Sequence, residues 1–380
     1  MIRIGVLTFH RAVNYGAFLQ AFCLVTRLNK EKDIKAELID YEMKTAKDSY
    51  DVDRRYSLKQ KLFGDASYKL EKQRARFFLK GIRQIRDLCS SGYCCTNSTE
   101  EFFSFVKGKY DIIISGSDEV WRPKSFRPFP NPYFLPGDPG CRKLSYAASG
   151  RTDYSLMEEA DRKLVRQCFA DFEFVSVRDM ATYTAVCNEG IDPEKMMLSC
   201  DPSFLYDFPD KTRPFSQVLG RRYRLDPGKK NLLLAGVDGS AIDSIHDYFG
   251  KEYNIVSTVL YYEGCVNASA ITPFEWRELV AGADLVITSL FHGVCFSIVN
   301  DIPFIAVINE EKASKINGLL EGTKFSSCKI ETDRMQDIQW DRMVKEAEAC
   351  AGSRDFVLSQ RKNFELFLKI IRGEENDVIS

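Results

Sequence analysis

Two doubly wound α/β domains of one type, each with a parallel sheet, and a cleft between them: this is the fold class the sequence predicts. Three observations predict it. Short apolar runs alternate with amphipathic stretches along most of the chain, which marks strands alternating with helices. The alternation fades once, over residues 206–229, where proline and charge crowd together, and then resumes. The chain also has 380 residues, more than one ordinary core organises.

The elements follow in order. "IRIGVLTF" reads as a first strand rather than a signal peptide, because it lacks a basic start and a small-residue cleavage site. "GAFLQAFCLVTRL" is an amphipathic helix and "KAELIDYE" a second strand. Residues 45–107 form a helical insert, with a long basic helix over 58–88. "STEEFFSFVKG" opens on a capping box, Ser98 with Glu101. "YDIIISG", "KLSYAASG" and "EFVSVRD" are strands, and "EEADRKLVRQCFADF" and "MATYTAVCNEG" are helices. After the linker come "NLLLAGV", a helix from about Ser240, "YNIVSTVL", "TPFEWRELVAGA", "DLVITS", a helix from His292, and "PFIAVI". The domains are therefore residues 1–205 and 230–352, joined by 206–229. The segment 353–380, with a long helix to residue 372, packs back across them.

Composition removes several classes of function. The 53 basic and 54 acidic residues leave a net charge of −1, so a global electrostatic grip on nucleic acid is excluded. No apolar run is long enough to cross a bilayer. The twelve cysteines are scattered without a C-x-x-C, and with three histidines they offer no clustered ligand spacing. They read as reduced core residues of a cytoplasmic protein with no metal. The adjacent pair Cys94–Cys95 lacks partner ligands at suitable spacing.

In doubly wound sheets ligands bind outside the carboxyl ends of strands. Polar and glycine residues follow those ends here. His10, Arg11, Asn14, Tyr15 and Gly16 come after the first strand, and Ser117, Asp118 and Trp121 after "YDIIIS". Arg178 and Asp179 follow "EFVSV", and Ser289, His292 and Gly293 follow "DLVIT". Each also has a local use: a turn into a helix for "NYGA", a turn or cap for "GSD", an ion pair or cap for Arg178–Asp179. The last group has the sharpest geometry. His292 falls at a helix N-terminus, where backbone N–H groups and the dipole suit a phosphate or carboxylate. Gly293 lets a ligand approach the backbone, and a histidine there donates to an anion or transfers a proton, or else is hydrogen-bonded as a turn residue.

"TFHRAVNYGAFLQAF", "YDIIISGSDEVW", "KLSYAASG", "VSVRD", "CDPSFL" and "ADLVITSLFHGVCFSIVNDIPFIAV" occur in an order that resembles the polysaccharide pyruvyl transferase family. The resemblance runs from residue 6 to about 308. It implies a GT-B-like fold of two Rossmann-like domains, acceptor side first and donor side second. It implies phosphoenolpyruvate as donor substrate, no cofactor, and a sugar acceptor on a polysaccharide or lipid-linked glycan, as in exopolysaccharide biosynthesis. The product is a pyruvate ketal, with phosphate released. The family's donor-binding histidine maps to His292 and an N-terminal arginine to Arg178, with Gly293 and Ser289 beside the donor. Asp118 is then a base or a ligand of the acceptor hydroxyl, and His10, Arg11, Asn14, Tyr15, Gly16, Ser117 and Trp121 line the cleft. Where some members carry an arginine two residues before the histidine, this chain has Leu290. One anion clamp is then missing or supplied from elsewhere, with Arg11, Arg122 and Lys124 as candidate replacements on physical grounds.

Residues 58–87 hold nine basic and three acidic residues interleaved with apolar ones. Such a helix packs on one face and meets solvent on the other, or rests on an anionic membrane surface at the inner face. Two other functions suit the same residues: a GT-B nucleotide-sugar glycosyltransferase, and a non-catalytic phosphate- or sugar-binding module.

Overall fold

The computed structural model describes all residues except 210–212, 309–312, 333–337 and 375–380. The parts of the linker, second domain and C-terminal segment that fall on these positions lie outside the described residues. The chain forms two compact units. Unit 1 comprises Met1–Asp51, Gln84–Asp207 and the segment from Leu358; unit 2 comprises Val52–Arg83 and Phe208–Val357.

Unit 1 contains β1 (Ile2–Leu7), β2 (Ile34–Leu38), β3 (Tyr41–Glu42), β4 (Cys94–Cys95), β5 (Ile112–Ser115), β6 (Arg142–Ala148), β7 (Phe174–Val177) and β8 (Met196–Leu198). The main sheet has the order β2-β1-β5-β6-β7-β8, every neighbouring pair parallel, while β3 pairs with β4. Parallel strands are covered on both faces, which is why β5 is the unbroken apolar run Ile112, Ile113, Ile114, all buried. The helix Tyr15–Leu28 covers one face. Asn14 caps it by accepting from the Gly16 and Ala17 N–H groups, a device that stabilises a helix by about 1 kcal/mol. The chain runs from β1 to β2 in one direction and returns to β5 on the other side. The carboxyl ends of β1 and β5 therefore flank the sheet's switch point.

Unit 2 repeats the plan with β9 (Lys230–Ala235), β10 (Tyr253–Ser257), β11 (Val266–Asn267), β12 (Leu285–Thr288), β13 (Phe304–Ile308) and β14 (Lys329–Glu331). Its order, β11-β10-β9-β12-β13-β14, is again all parallel and puts the switch point between β9 and β12. The helix Pro273–Ala281 starts at Thr272 with a full capping box to Glu275 and proline at its first residue.

The structure corrects four expectations. The insert is not one body. Val52–Arg83 groups with unit 2, where Arg74 donates to the Val259 carbonyl and Ser269 bonds Gln73. Its long helix is two, Leu58–Leu62 and Ala66–Gln84, broken at Gly64, whose φ of +70° no helix tolerates. The C-terminal helix is also two, Arg354–Gln360 and Lys362–Arg372; between them Arg361 reaches the Phe204 carbonyl and the Asp207 carboxylate. The capping box at Ser98 is half made: Ser98 accepts from the Glu101 N–H, while the Glu101 carboxylate accepts from Thr96 instead. Among the described residues no helix is long and apolar enough to cross a membrane.

Candidate functional site

At the switch point of unit 1 the ends of β1 and β5 are tied together. Thr8 Oγ1 donates to the Ser117 carbonyl at 2.8 Å and accepts from Gln20 Nε2 at 2.9 Å. His10 is fully buried, with Nε2 3.2 Å from Asp40 Oδ1. Arg11 grips both Asp40 oxygens, through Nε and through Nη2 at 2.7 Å, and lies over the Tyr93 ring at 4.4 Å. Burial pushes the Asp40 carboxyl up, but hydrogen bonds from His10 and Arg11 and the Arg11 charge overrule it and hold it at about 2.

His10, Asp40 and Cys89 place three ligand-type atoms within 4.8 Å of one another. Their chemistry does not suit a cation. Arg11 already occupies both carboxylate oxygens, and burial, then the Asp40 charge, pushes the Cys89 thiol up to about 12.

The residues after β5 and β7 form a second cluster. Arg178 Nη1 meets Asp201 Oδ2 at 2.7 Å and Ser117 Oγ at 3.5 Å, and its Nη2 lies 3.7 Å from Asp118 Oδ1. The Asp201 side chain has no exposed surface. Burial opposes the Arg178 charge, but Asp201, Asp118 and Asp179 outweigh it and raise its pKa. Asp118 caps no helix: it sits at φ 84°, bridges to Ala148 and accepts from the Glu119 N–H at 2.8 Å. Asp179 does act as a cap, accepting from the Thr182 N–H and hydroxyl.

The structure thus brings His10, Arg11, Ser117, Asp118 and Arg178 to one sheet edge. It does not put every sequence candidate on a surface. Trp121 is 0% exposed; its indole donates to the Tyr133 carbonyl and packs edge-on against Phe169 and Phe172, so it is core and lines no cleft. Tyr15 and Gly16 are buried in the first helical turn. Asn14 alone of that trio is exposed, and its side chain is the cap described above.

At the switch point of unit 2, Thr288 Oγ1 donates to the Ala235 carbonyl and accepts from the Leu290 N–H, and the Ser289 hydroxyl donates to the Gly236 carbonyl. These bonds set the turn into the helix Phe291–Val299. His292 is its second residue, 8% exposed, with its ring edge-on to Phe291 at 5.4 Å. The first intrahelical bond runs from the Val294 N–H to the Leu290 carbonyl, so the N–H groups of Phe291, His292 and Gly293 belong to the open first turn. Gly293 has a reason other than ligand approach: a Cβ there would run into the Thr288 hydroxyl, the group that holds the strand end. Leu290 packs against Gly236, where a Cβ would come within 2.7 Å of its Cδ2. Lys315 Nζ lies 5.9 Å from the Phe291 ring, a cation beside the motif that sequence reasoning missed. Asp40 and Asp201 were missed as well; they stand two residues after β2 and three residues after β8, strand ends that the sequence pattern does not mark.

The same two-unit architecture occurs in solved structures. A S. aureus MnaA–UDP co-structure superposes with TM-score 0.53 at 10% identity over 97% of each chain. Anabaena Alr3699/HepE in complex with UDP and glucose gives 0.53 at 12%, over 97% of this chain and 100% of that one. A UDP-N-acetylglucosamine 2-epimerase from Rickettsia bellii gives 0.51 at 12%, over 100% and 99%. At these identities the likeness establishes the fold, which is GT-B-like. No curated protein matches the sequence. The polysaccharide pyruvyl transferase profile matches residues 14–311, from the first helix cap through the histidine motif to the strand beyond it, and the chain belongs to the polysaccharide pyruvyl transferase family.

Proposed function

We propose that the protein moves the pyruvyl group of phosphoenolpyruvate onto two hydroxyls of one sugar in a polysaccharide or lipid-linked glycan, releasing phosphate. The observation that carries this reading is His292, set in the open first turn of a helix at the unit 2 switch point, within the family's matched segment. The chemistry needs a proton at the enol CH₂, which makes the adjacent carbon electrophilic. One sugar hydroxyl attacks that carbon and loses its proton. The second hydroxyl then attacks as the C–O bond to phosphate breaks, its proton leaves with the phosphate, and the ketal is complete. His292 supplies the first proton, and the helix N-terminus receives the donor's anionic groups. Lys315 supplies the positive charge that Leu290 lacks. The imidazole takes back the first hydroxyl's proton; in unit 1, Arg178, committed to Asp201, holds Asp118 at the sheet edge. No cofactor enters this scheme.

Binding to the native state raises apparent stability by mass action, about 2.7 kcal/mol at a hundredfold excess over Kd. Phosphoenolpyruvate is therefore expected to raise the melting temperature more than inorganic phosphate, pyruvate or UDP-N-acetylglucosamine does. It is also expected to give phosphate release when a glycan acceptor is added. A shift with the UDP-sugar and none with phosphoenolpyruvate would replace this reading by nucleotide-sugar chemistry. A shift with phosphoenolpyruvate and no release with any acceptor would leave a binding module.

The same reading keeps the protein in the cytoplasm, at the inner membrane face, where a lipid-linked acceptor waits. It is supported by Leu58, Leu62 and Phe63, which are 71%, 74% and 82% exposed and interleave with Lys59 and Lys61. Vesicles containing anionic phosphatidylglycerol are expected to sediment the protein, and neutral phosphatidylcholine vesicles are not. Equal recovery in both supernatants would remove the membrane contact.

A further inference from the structure

A pocket within unit 1 is lined by Phe9, Arg11, Tyr41, Glu42, Arg127 and Tyr133, among others, and has a cavity of about 30 Å³. Its walls come from segments that follow β1, β2 and β5, so it opens on the carboxyl edge of the sheet, beside the switch point. That is room for a compact acidic group, with the ring that carries it left at the mouth.

Arg127 is the unusual group in it. The residue is 6% exposed, yet no carboxylate lies within ion-pair distance of it among the described residues. Its Nη1 donates to the Glu119 carbonyl at 2.9 Å, and its guanidinium lies over the Phe9 ring at 4.0 Å. The acidic side chains that follow β5 are engaged elsewhere: Asp118 faces Arg178, and Glu119 pairs with Arg151 and Arg122. The other charges of the pocket are balanced. Arg11 is matched by Asp40; Glu42 is matched by Lys47 at 3.9 Å and accepts from the Tyr93 hydroxyl. A buried cation without an ion-pair partner is costly, and burial lowers the Arg127 pKa despite the more distant pull of Asp118 and Glu119. An anion entering the pocket would complete it through the planar fork of the guanidinium. The rings of Tyr41, Tyr50 and Tyr133 supply apolar wall around it.

We propose that this pocket binds the acidic group of an anionic saccharide unit, a sugar bearing a carboxylate or a phosphate, with Arg127 as the ligand of the anion. The saccharide half rests on the pyruvyl-transfer reading above; the anion half does not.

The test titrates the full chain with D-glucuronate, D-glucose 1-phosphate, D-glucose and inorganic phosphate, following heat and melting temperature. At least one acidic sugar is expected to bind tenfold or more tightly than glucose, and the better of the two tells carboxylate from phosphate. Glucose binding as tightly as both acids would overturn the proposal. Inorganic phosphate binding as tightly as the sugar phosphate would overturn its saccharide half. In Arg127→Met the acidic sugar is expected to bind at least tenfold more weakly, while the ligand-free protein melts at the same temperature or higher, because an uncompensated charge has gone. A merely structural arginine predicts the reverse, a lower melting temperature with unchanged affinity, and that result would overturn the assignment. Arg127→Gln keeps a donor for the Glu119 carbonyl and serves if the methionine variant does not fold. Loss of acid binding in these variants with no phosphate release from phosphoenolpyruvate leaves this site standing and removes the transfer reading. Transfer to a neutral glycan without any acid binding does the opposite.

Discussion

His292→Ala is expected to lower phosphate release from phosphoenolpyruvate plus acceptor by at least about 100-fold, the usual scale for a positioned proton donor. The melting temperature should stay within a few degrees of the parent. The reason for the split lies in the local structure. His292 is the second residue of its helix, and the turn that launches the helix is held by Thr288 and Ser289, through the Ala235 and Gly236 carbonyls. Removing the imidazole leaves that scaffold and the first-turn N–H groups in place. Donor binding should therefore survive in part, and the loss should fall on kcat more than on KM. Turnover at the parent rate in this variant would end the assignment of His292 to the chemistry. A collapse of the melting temperature by ten degrees or more would make it a structural residue instead.

The second large effect is expected in unit 1. Arg178→Met removes the counter-ion of Asp201, whose side chain has no exposed surface. Breaking one half of a buried pair costs about 3–5 kcal/mol, because the remaining charge is left without compensation. For a unit of this size that is a fall of about 10 °C in melting temperature. Adding Asp201→Asn should recover part of the loss, since the two residues act as one network. The motif resemblance implied that Arg178 holds the donor. The geometry implies that it organises Asp201 and Asp118. A normal melting temperature combined with a raised KM for phosphoenolpyruvate would return the arginine to the donor.

Much of the fold was legible because a buried parallel strand writes itself as an apolar run. β1, β5, β9, β12 and β13 all stand where such runs lie. β8, β11 and β14 were not legible, being two or three residues long and too short to show a period. Their pairing is decided by the strands already beside them. The helix starts at Tyr15 and Phe291 were readable for a similar local reason, since a cap or turn residue follows directly on a strand.

The candidate site divides along the same line. Polar residues at strand ends are visible in one dimension, so Asp118, Arg178, Ser289 and His292 could be named in advance. Which of them are exposed, and which charge meets which, depends on residues distant in sequence: Arg178 on Asp201 and Ser117, Gly293 on Thr288, Leu290 on Gly236. Trp121 looked like a wall of the site because aromatic residues line pockets, but packing against Phe169 and Phe172 claimed it for the core. Arg127 gave no signal, lying in a Pro- and Phe-rich loop whose course no periodicity foretells.

The order of strands and helices, the doubling of the domain plan, the family and the strand ends that carry polar groups were set by local pattern, because burial on both faces of a sheet and capping of a helix act over a few residues. Which insert joins which unit, which arginine has a counter-ion and which does not, and why a glycine stands after His292 were decided only in three dimensions. Charge compensation and side-chain collision are properties of pairs that the chain brings together across tens or hundreds of positions.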